Sequence, residues 1–160
     1  MEKPTFVYTT YIKTAPERLW QALTDPAFTR RYWGEVFITD WKPGSTMAWE
    51  FLGVTVRDPE QVVLEADPNR KLAYTWQSIT AEFAKAVGFS DEVFAQVARE
   101  PRSKVTFTLD QVGEVVRLTV VHDGFEPGSL VYESVSGGWP WILASLKSLL
   151  ETGEALPSES

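Results

Sequence analysis

The chain predicts an α+β fold: a curved antiparallel β-sheet wrapped around one long C-terminal helix, with two short helices after strand one. Three observations carry this. Residues 136–153 form an amphipathic helical segment, with Trp139, Ile142, Leu143, Leu146, Leu149 and Leu150 on one face and Ser145, Lys147, Ser148 and Glu151 off it. Residues 35–77 and 104–122 read as short alternating strands separated by turn residues. Between the first strand and this meander, Asp25-Pro26 splits a helical stretch in two.

Phe6 to Ile12 alternates and is rich in Thr, Tyr, Val and Ile, which suits a strand. Thr14 and Glu17 have the spacing of a capping box, and Leu19, Trp20 and Leu23 supply the apolar face of the helix that follows. Asp25 accepts orphan N–H groups and Pro26 is tolerated in a first turn, so a second short helix runs to about Tyr32. The strands Val36–Asp40, Thr46–Leu52, Thr55–Ala66 and Leu72–Gln77 are broken by Lys42-Pro43-Gly44-Ser45 and Asp67-Pro68-Asn69-Arg70. Period two puts Met47, Trp49 and Phe51 on one face, and Leu72, Tyr74 and Trp76 on another, both pointing inward. Asp58-Pro59 implies a bulge or a break, because proline cannot donate to a ladder.

Residues 79–100 depart from the meander as two short helices hinged at Gly88, the second capped by Ser90, with Phe83, Val87, Phe89, Val93, Phe94 and Val97 on their apolar side. Such an insertion is a lid over a pocket, through Phe83, Phe89 and Phe94, or a dimer contact, or an inert surface excursion. Strands resume at Lys104–Asp110 and Val115–His122. Ser129 is the expected cap of the long helix and Gly153 its stop, with Pro140 marking a bend or opening. Residues 1–156 are read as one domain and 157–160 as a frayed tail.

Composition narrows the function. A chain of 160 residues suits one domain that buries roughly 70% of its unfolded surface. A net charge of −7 repels phosphate backbones and anionic lipid, so nucleic acid and membranes are not expected partners. Absence of cysteine removes thiolate metal sites and cysteine nucleophiles, and a single histidine cannot build a multi-histidine metal site, so no metal or cofactor is expected. The start lacks the apolar run of a signal peptide, which makes the cytoplasm the default location. Seven tryptophans, nine phenylalanines and five tyrosines are many for this length, and favour a ring-lined cavity over simple core filling.

The order strand, two helices, six-strand meander with an insertion, and long helix is the helix-grip arrangement. The segments Ala15-Pro16-Glu17-Arg18-Leu19-Trp20-Gln21-Ala22-Leu23-Thr24-Asp25-Pro26, Tyr32-Trp33-Gly34, Leu72-Ala73-Tyr74-Thr75-Trp76, Val121-His122-Asp123-Gly124-Phe125 and Gly138-Trp139-Pro140 stand in an order that resembles the START-like, Bet v 1-like (SRPBCC) superfamily. Within it they are similar to the C-terminal domain of the Hsp-ninety ATPase activator, from about Thr5 to Gly153. The resemblance implies a cavity between the concave sheet and the terminal helix, which would place Trp49, Phe51, Tyr74, Trp76, Leu118, Val120, Trp139 and Leu143 around it. His122 ends a strand in register with Leu118 and Val120 and joins this ligand-binding set, either as an acid–base group or as a structural hydrogen-bonding residue.

Three functions follow: binding of a small hydrophobic or aromatic ligand without catalysis; an enzyme of cyclase or hydrolase type using His122 and cavity tyrosines; or a chaperone-associated, stress-response module acting on an Hsp-ninety-like ATPase. A homodimer is left open. The expected partner is a small apolar molecule, with no catalytic residue assigned.

Overall fold

The computed structural model describes residues 2–157; of the expected frayed tail, residues 158–160 lie outside the described residues. The chain runs β1 (Phe6–Ile12), α1 (Pro16–Thr24), α2 (Pro26–Tyr32), β2 (Val36–Ile38), β3 (Thr46–Phe51), β4 (Val54–Asp67), β5 (Lys71–Thr75), α3 (Ala81–Ala86), α4 (Asp91–Val97), β6 (Lys104–Val112), β7 (Val115–Asp123) and α5 (Leu130–Thr152). All seven strands form one antiparallel sheet in the order β1-β7-β6-β5-β4-β3-β2. The meander β2 to β7 is closed on one side by β1, and α5 lies across the concave face. This is the α+β helix-grip fold.

The alternation of β6 and β7 puts Val105, Phe107, Leu109, Val116, Leu118, Val120 and His122 on the inner face, buried against α5. From α5, Trp139, Leu143, Leu146 and Leu149 enter the same core. Ser129 caps α5 by accepting from the Tyr132 N–H at 2.9 Å, and Gly153 ends it in the left-handed conformation with φ 88°. The chain stays helical through Pro140.

Four local expectations are corrected. The capping box does not form: α1 starts at Pro16, whose fixed φ suits the first helical position, so Ala15 is the cap and Thr14 Oγ1 is left without a partner. Strand β2 stops at Ile38 rather than Asp40, because Asp40 Oδ1 accepts the Lys42 N–H at 2.9 Å in a local turn and Trp41 takes φ 60°. Strand β5 ends at Thr75 rather than Gln77: Trp76 N–H still donates to Ser103, its next partner in the β5–β6 register, at 2.9 Å, but the Ser78 N–H already goes to the Gln61 side chain at 2.8 Å. Ser145 is buried rather than off the apolar face, since residues 154–156 fold back over it and the Leu156 N–H donates to its Oγ at 3.2 Å.

The expected bulge at Asp58-Pro59 is present. Thr46 pairs with Val62 while Ala48 pairs with Arg57, so one residue of β3, Met47, opposes four of β4, Asp58 to Gln61. The buried Gln61 side chain satisfies the freed backbone, donating to the Met47 and Val56 carbonyls at 2.9 and 3.1 Å and accepting from the Ser78 N–H at 2.8 Å.

Leu146 is wholly buried between α5 and the sheet. Leu146→Ala should lower the unfolding free energy by about 2–5 kcal/mol in urea denaturation. A loss under about 0.5 kcal/mol would mean that this site collapses freely and that α5 is not clamped by its leucines.

Candidate functional site

A cavity of about 610 Å³ opens between the sheet, the N-terminal half of α5 and the insertion α3–α4. Trp33, Glu35, Trp49, Phe51, Trp76 and Gln77 form its sheet side. Phe83, Val87, Phe89, Val93 and Val97 come from the insertion, and Leu130, Val131 and Val135 from α5. The volume falls in the range of small-molecule sites.

The local sequence explains how these groups meet. Helix α2 ends as the Trp33 and Gly34 N–H groups both reach the Thr29 carbonyl at 3.0 Å. Gly34 turns the chain with φ 89°, and a Cβ there would meet the Phe51 ring at 3.2 Å, so glycine is required on both counts. This turn delivers Trp33 from the helix end and Glu35 at the head of β2 to one spot. Because Phe37 pairs with Trp49 and Val36 with Glu50, the period-two face that holds Phe37 and Trp49 also takes Glu35 and Phe51. The rings of Trp33, Trp49 and Trp76 pack against one another, with centroids 4.8 to 6.4 Å apart.

Of the residues expected around the ligand, the structure brings Trp49, Phe51, Trp76, Phe83 and Phe89 to this cavity. Tyr74, Trp139 and Leu143 lie beyond it, in the closely packed seam under α5 with Phe107. Leu118 and Val120 are wholly buried in the core, and Phe94 is not part of the cavity lining. The C-terminal half of α5 packs down through Trp139, Leu143, Leu146 and Leu149 and fills the space predicted to be open, and the open volume lies instead where the insertion, the sheet and residues 130–135 of α5 meet.

His122 is also away from the cavity, fully buried. Trp139 Nε1–H donates to its Nδ1 at 3.0 Å, and Nε2 lies 2.8 Å from Ser103 Oγ. An indole N–H can only donate, so Nδ1 is unprotonated and Nε2–H donates to the serine. Burial, with the charge of Lys104, pulls the His122 pKa down to about 3. Of the two roles open to this histidine, the geometry supplies the structural one.

Sequence reasoning missed Glu35 and Trp33. Glu35 is 3% exposed, its Oε1 has no hydrogen-bond partner, and burial pushes its pKa up to about 8. Trp49 Nε1 and Gln77 Oε1 are likewise unpartnered. The available signal was parity, since Glu35 shares the face of Phe37. It was masked because Val36, on the opposite face, is also buried. Among the described residues, no group of three or more side chains is placed to hold a metal ion, and no helix is long and apolar enough to cross a membrane.

Glu35 and His122 act on stability in opposite directions. Glu35 holds its proton more tightly folded than unfolded, so its contribution is whole below its ordinary value of 4.5 and is lost as pH rises through about 8. His122 binds its proton more weakly when folded, so its contribution is whole above 6.5 and is lost as pH falls toward 3. The two slopes cancel between 4.5 and 6.5, giving a plateau with a decline on either side. Each decline approaches about 1.4 kcal/mol per pH unit. Glu35→Gln should abolish the alkaline decline between pH 6.5 and 8 and extend the acid decline up to pH 6.5, since nothing then offsets His122 across the plateau; urea denaturation at stepped pH reads both limbs, and an unchanged alkaline limb would sink the assignment.

The profile described as Activator of Hsp90 ATPase homolog 1-like protein matches residues 13–151. No curated protein matches the chain. Among solved structures, protein MLL2253 from Mesorhizobium loti is 27% identical, with TM-score 0.71, over 92% of this chain and 97% of that one. The Aha1 dimer from Colwellia psychrerythraea is 19% identical, with TM-score 0.67, covering 95% of this chain and 99% of that one. CalU16 from Micromonospora echinospora is 19% identical, with TM-score 0.66, covering 96% and 77%. The last two likenesses establish the fold alone. With the profile spanning nearly all of the sheet and helix just described, the chain belongs to the Activator of Hsp90 ATPase homolog 1-like family, within the START-like superfamily.

Proposed function

We propose that this protein binds a small aromatic or hydrophobic molecule in the cavity beneath the α3–α4 insertion. The observation that carries the reading is the 610 Å³ space walled by Trp33, Trp49 and Trp76 on one side and by Phe83, Val87, Phe89, Val93 and Val97 on the other. Apolar surface of a ligand buried there gains roughly 25 cal/mol per Å², while the few polar groups orient it. This reading keeps Trp49, Phe51, Trp76, Phe83 and Phe89 of the expected set, adds Trp33 and Glu35, and omits Tyr74, Phe94, Leu118, Val120, His122, Trp139 and Leu143.

The insertion serves as the lid. Helix α3 rests on the sheet through the small cluster of Phe83, Val54 and Val56, and Gly88 joins it to α4 with φ 82°. Helix α4 is tied to the start of α5, where Gln96 Nε2 donates to the Gly128 carbonyl at 3.4 Å and Glu100 accepts from Ser129 Oγ–H and the Leu130 N–H. One end is thus anchored on the sheet and the other on the helix, with the Gly88 turn between. Motion about that turn would admit a ligand without unfolding either anchor.

Titration with 2-naphthylmethanol, followed by calorimetry, tests the site. The parent protein should bind it, and Trp76→Ala should weaken binding at least tenfold, since truncating a desolvated tryptophan commonly costs about 2 kcal/mol or more. Binding unaffected by Trp76→Ala would move the site elsewhere. Amide exchange should be fast at residues 84–93 in the free protein and slow at saturating 2-naphthylmethanol. Unchanged exchange there would leave the insertion as a fixed wall rather than a lid.

A further inference from the structure

We propose that the ligand taken by this cavity carries a protonated nitrogen, an ammonium or protonated heterocycle on an aromatic or apolar body, which pairs with the Glu35 carboxylate beside the rings of Trp33 and Trp49. The inference rests on reading the cavity as a ligand site and names the chemistry that the site selects.

Charge on the cavity wall points one way. Its ionisable lining residues are Glu35 and Glu133, with no lysine, arginine or histidine among them. Arg102 lines an adjoining pocket of about 240 Å³ but is committed elsewhere. It lies 3.5 Å from Asp58 and 3.8 Å from Glu60, and it donates to the Trp76 carbonyl at 2.7 Å. The chain as a whole carries −7. An anion entering the cavity would meet two carboxyl groups and no counter-charge, whereas a cation meets only favourable partners.

Glu35 is built for such a partner. It is 3% exposed, on the concave face with Trp49 and Phe51, and its Oε1 faces no donor of the protein. Folding has already removed this carboxyl from water, so a ligand does not have to desolvate it. The neighbouring tryptophan faces are the preferred surface for a cation.

Magnitudes decide between a cationic and a neutral partner. With its pKa at about 8, ionising Glu35 at neutral pH costs about tenfold in affinity. An ion pair at close range, screened as partly buried pairs are, returns roughly a hundredfold or more. A neutral hydroxyl hydrogen-bonded to Trp49 Nε1–H or Gln77 Oε1 returns only about two- to tenfold. The proton balance is simple: an ammonium ion displaces the Glu35 proton to solvent, or a free amine takes it, and both routes end as ammonium beside carboxylate. The phenols of Tyr32 and Tyr74 near Glu35 are held neutral by burial and do not compete for the cation.

Three probes of one shape test this: 2-naphthylmethylamine, 2-naphthylmethanol and 2-naphthoate, titrated at pH 7 by calorimetry into the parent protein and into Glu35→Gln. The parent should bind the amine severalfold more tightly than the alcohol and bind the carboxylate least. Glu35→Gln should lose at least tenfold for the amine and hold its affinity for the alcohol within about threefold, which separates Glu35 from the diffuse negative charge of the surface. Should Glu35→Gln not fold, the ranking of the three probes on the parent protein still decides. Equal binding of amine and alcohol by the parent, or loss of both in Glu35→Gln, overturns the inference while leaving the cavity as a ligand site. No binding of any probe overturns both.

Discussion

The buried hydrogen bond from the Trp139 indole to His122 Nδ1 fixes how the long helix sits on the sheet, and the other features of the molecule depend on that placement. The bond joins the inner face of β7 to the middle of α5 at a point where neither group meets water. An indole donor can be answered only by an acceptor, so His122 must stay neutral, and its other nitrogen must then give its proton to Ser103. The ring is thereby held from both sides, and with it the rotation of α5 about its axis. On that rotation Leu143, Leu146 and Leu149 drop onto the sheet, about one, two and three turns beyond Trp139. On the other side of the contact, Val131 and Val135 line the cavity while still packing against the edge of the core.

The architecture was legible in the sequence because its signals are local. Asp25 capping α2, Ser90 capping α4, Ser129 and Gly153 bounding α5, and Asp58-Pro59 breaking β4 each act through atoms a few residues away, and each is realised. The failures have a common cause in competition between neighbouring signals. At Thr14 the fixed φ of Pro16 set the helix start one residue later than the hydroxyl needed. At Ser145 the polar side chain suggested solvent, yet the returning tail supplied a donor at long range that no periodicity could reveal. The candidate site was legible only in its rings. Trp49, Phe51 and Trp76 follow from strand alternation, but which end of the sheet α5 leaves uncovered depends on where the insertion docks, a tertiary fact.

Two buried titratable groups meet opposite fates in this fold. His122 and Glu35 are almost equally hidden, at 0% and 3% exposure. His122 has both nitrogens satisfied, so its burial costs little in hydrogen bonding and gives a specific contact in return. Glu35 has an acceptor oxygen with no donor, a situation that removes about 1–3 kcal/mol of stability for a neutral group. The first arrangement is that of a structural residue; the second leaves a buried polar atom unmatched on the cavity wall, at the expense of the fold.

The same contrast extends to the aromatic residues. Trp139 donates its N–H within the protein and packs against Phe107 at 5.7 Å, so it is consumed by the core. Trp49 is equally buried, at 1% exposure, yet its N–H finds no acceptor and its ring belongs to the cavity wall. Burial alone therefore does not separate core from site in this molecule. The distinguishing property is whether the polar atom of a buried ring or carboxyl is matched inside the chain. By that criterion the Glu35 carboxyl and the Trp49 indole, both on the cavity wall, differ from His122 and Trp139, which are matched to each other inside the chain.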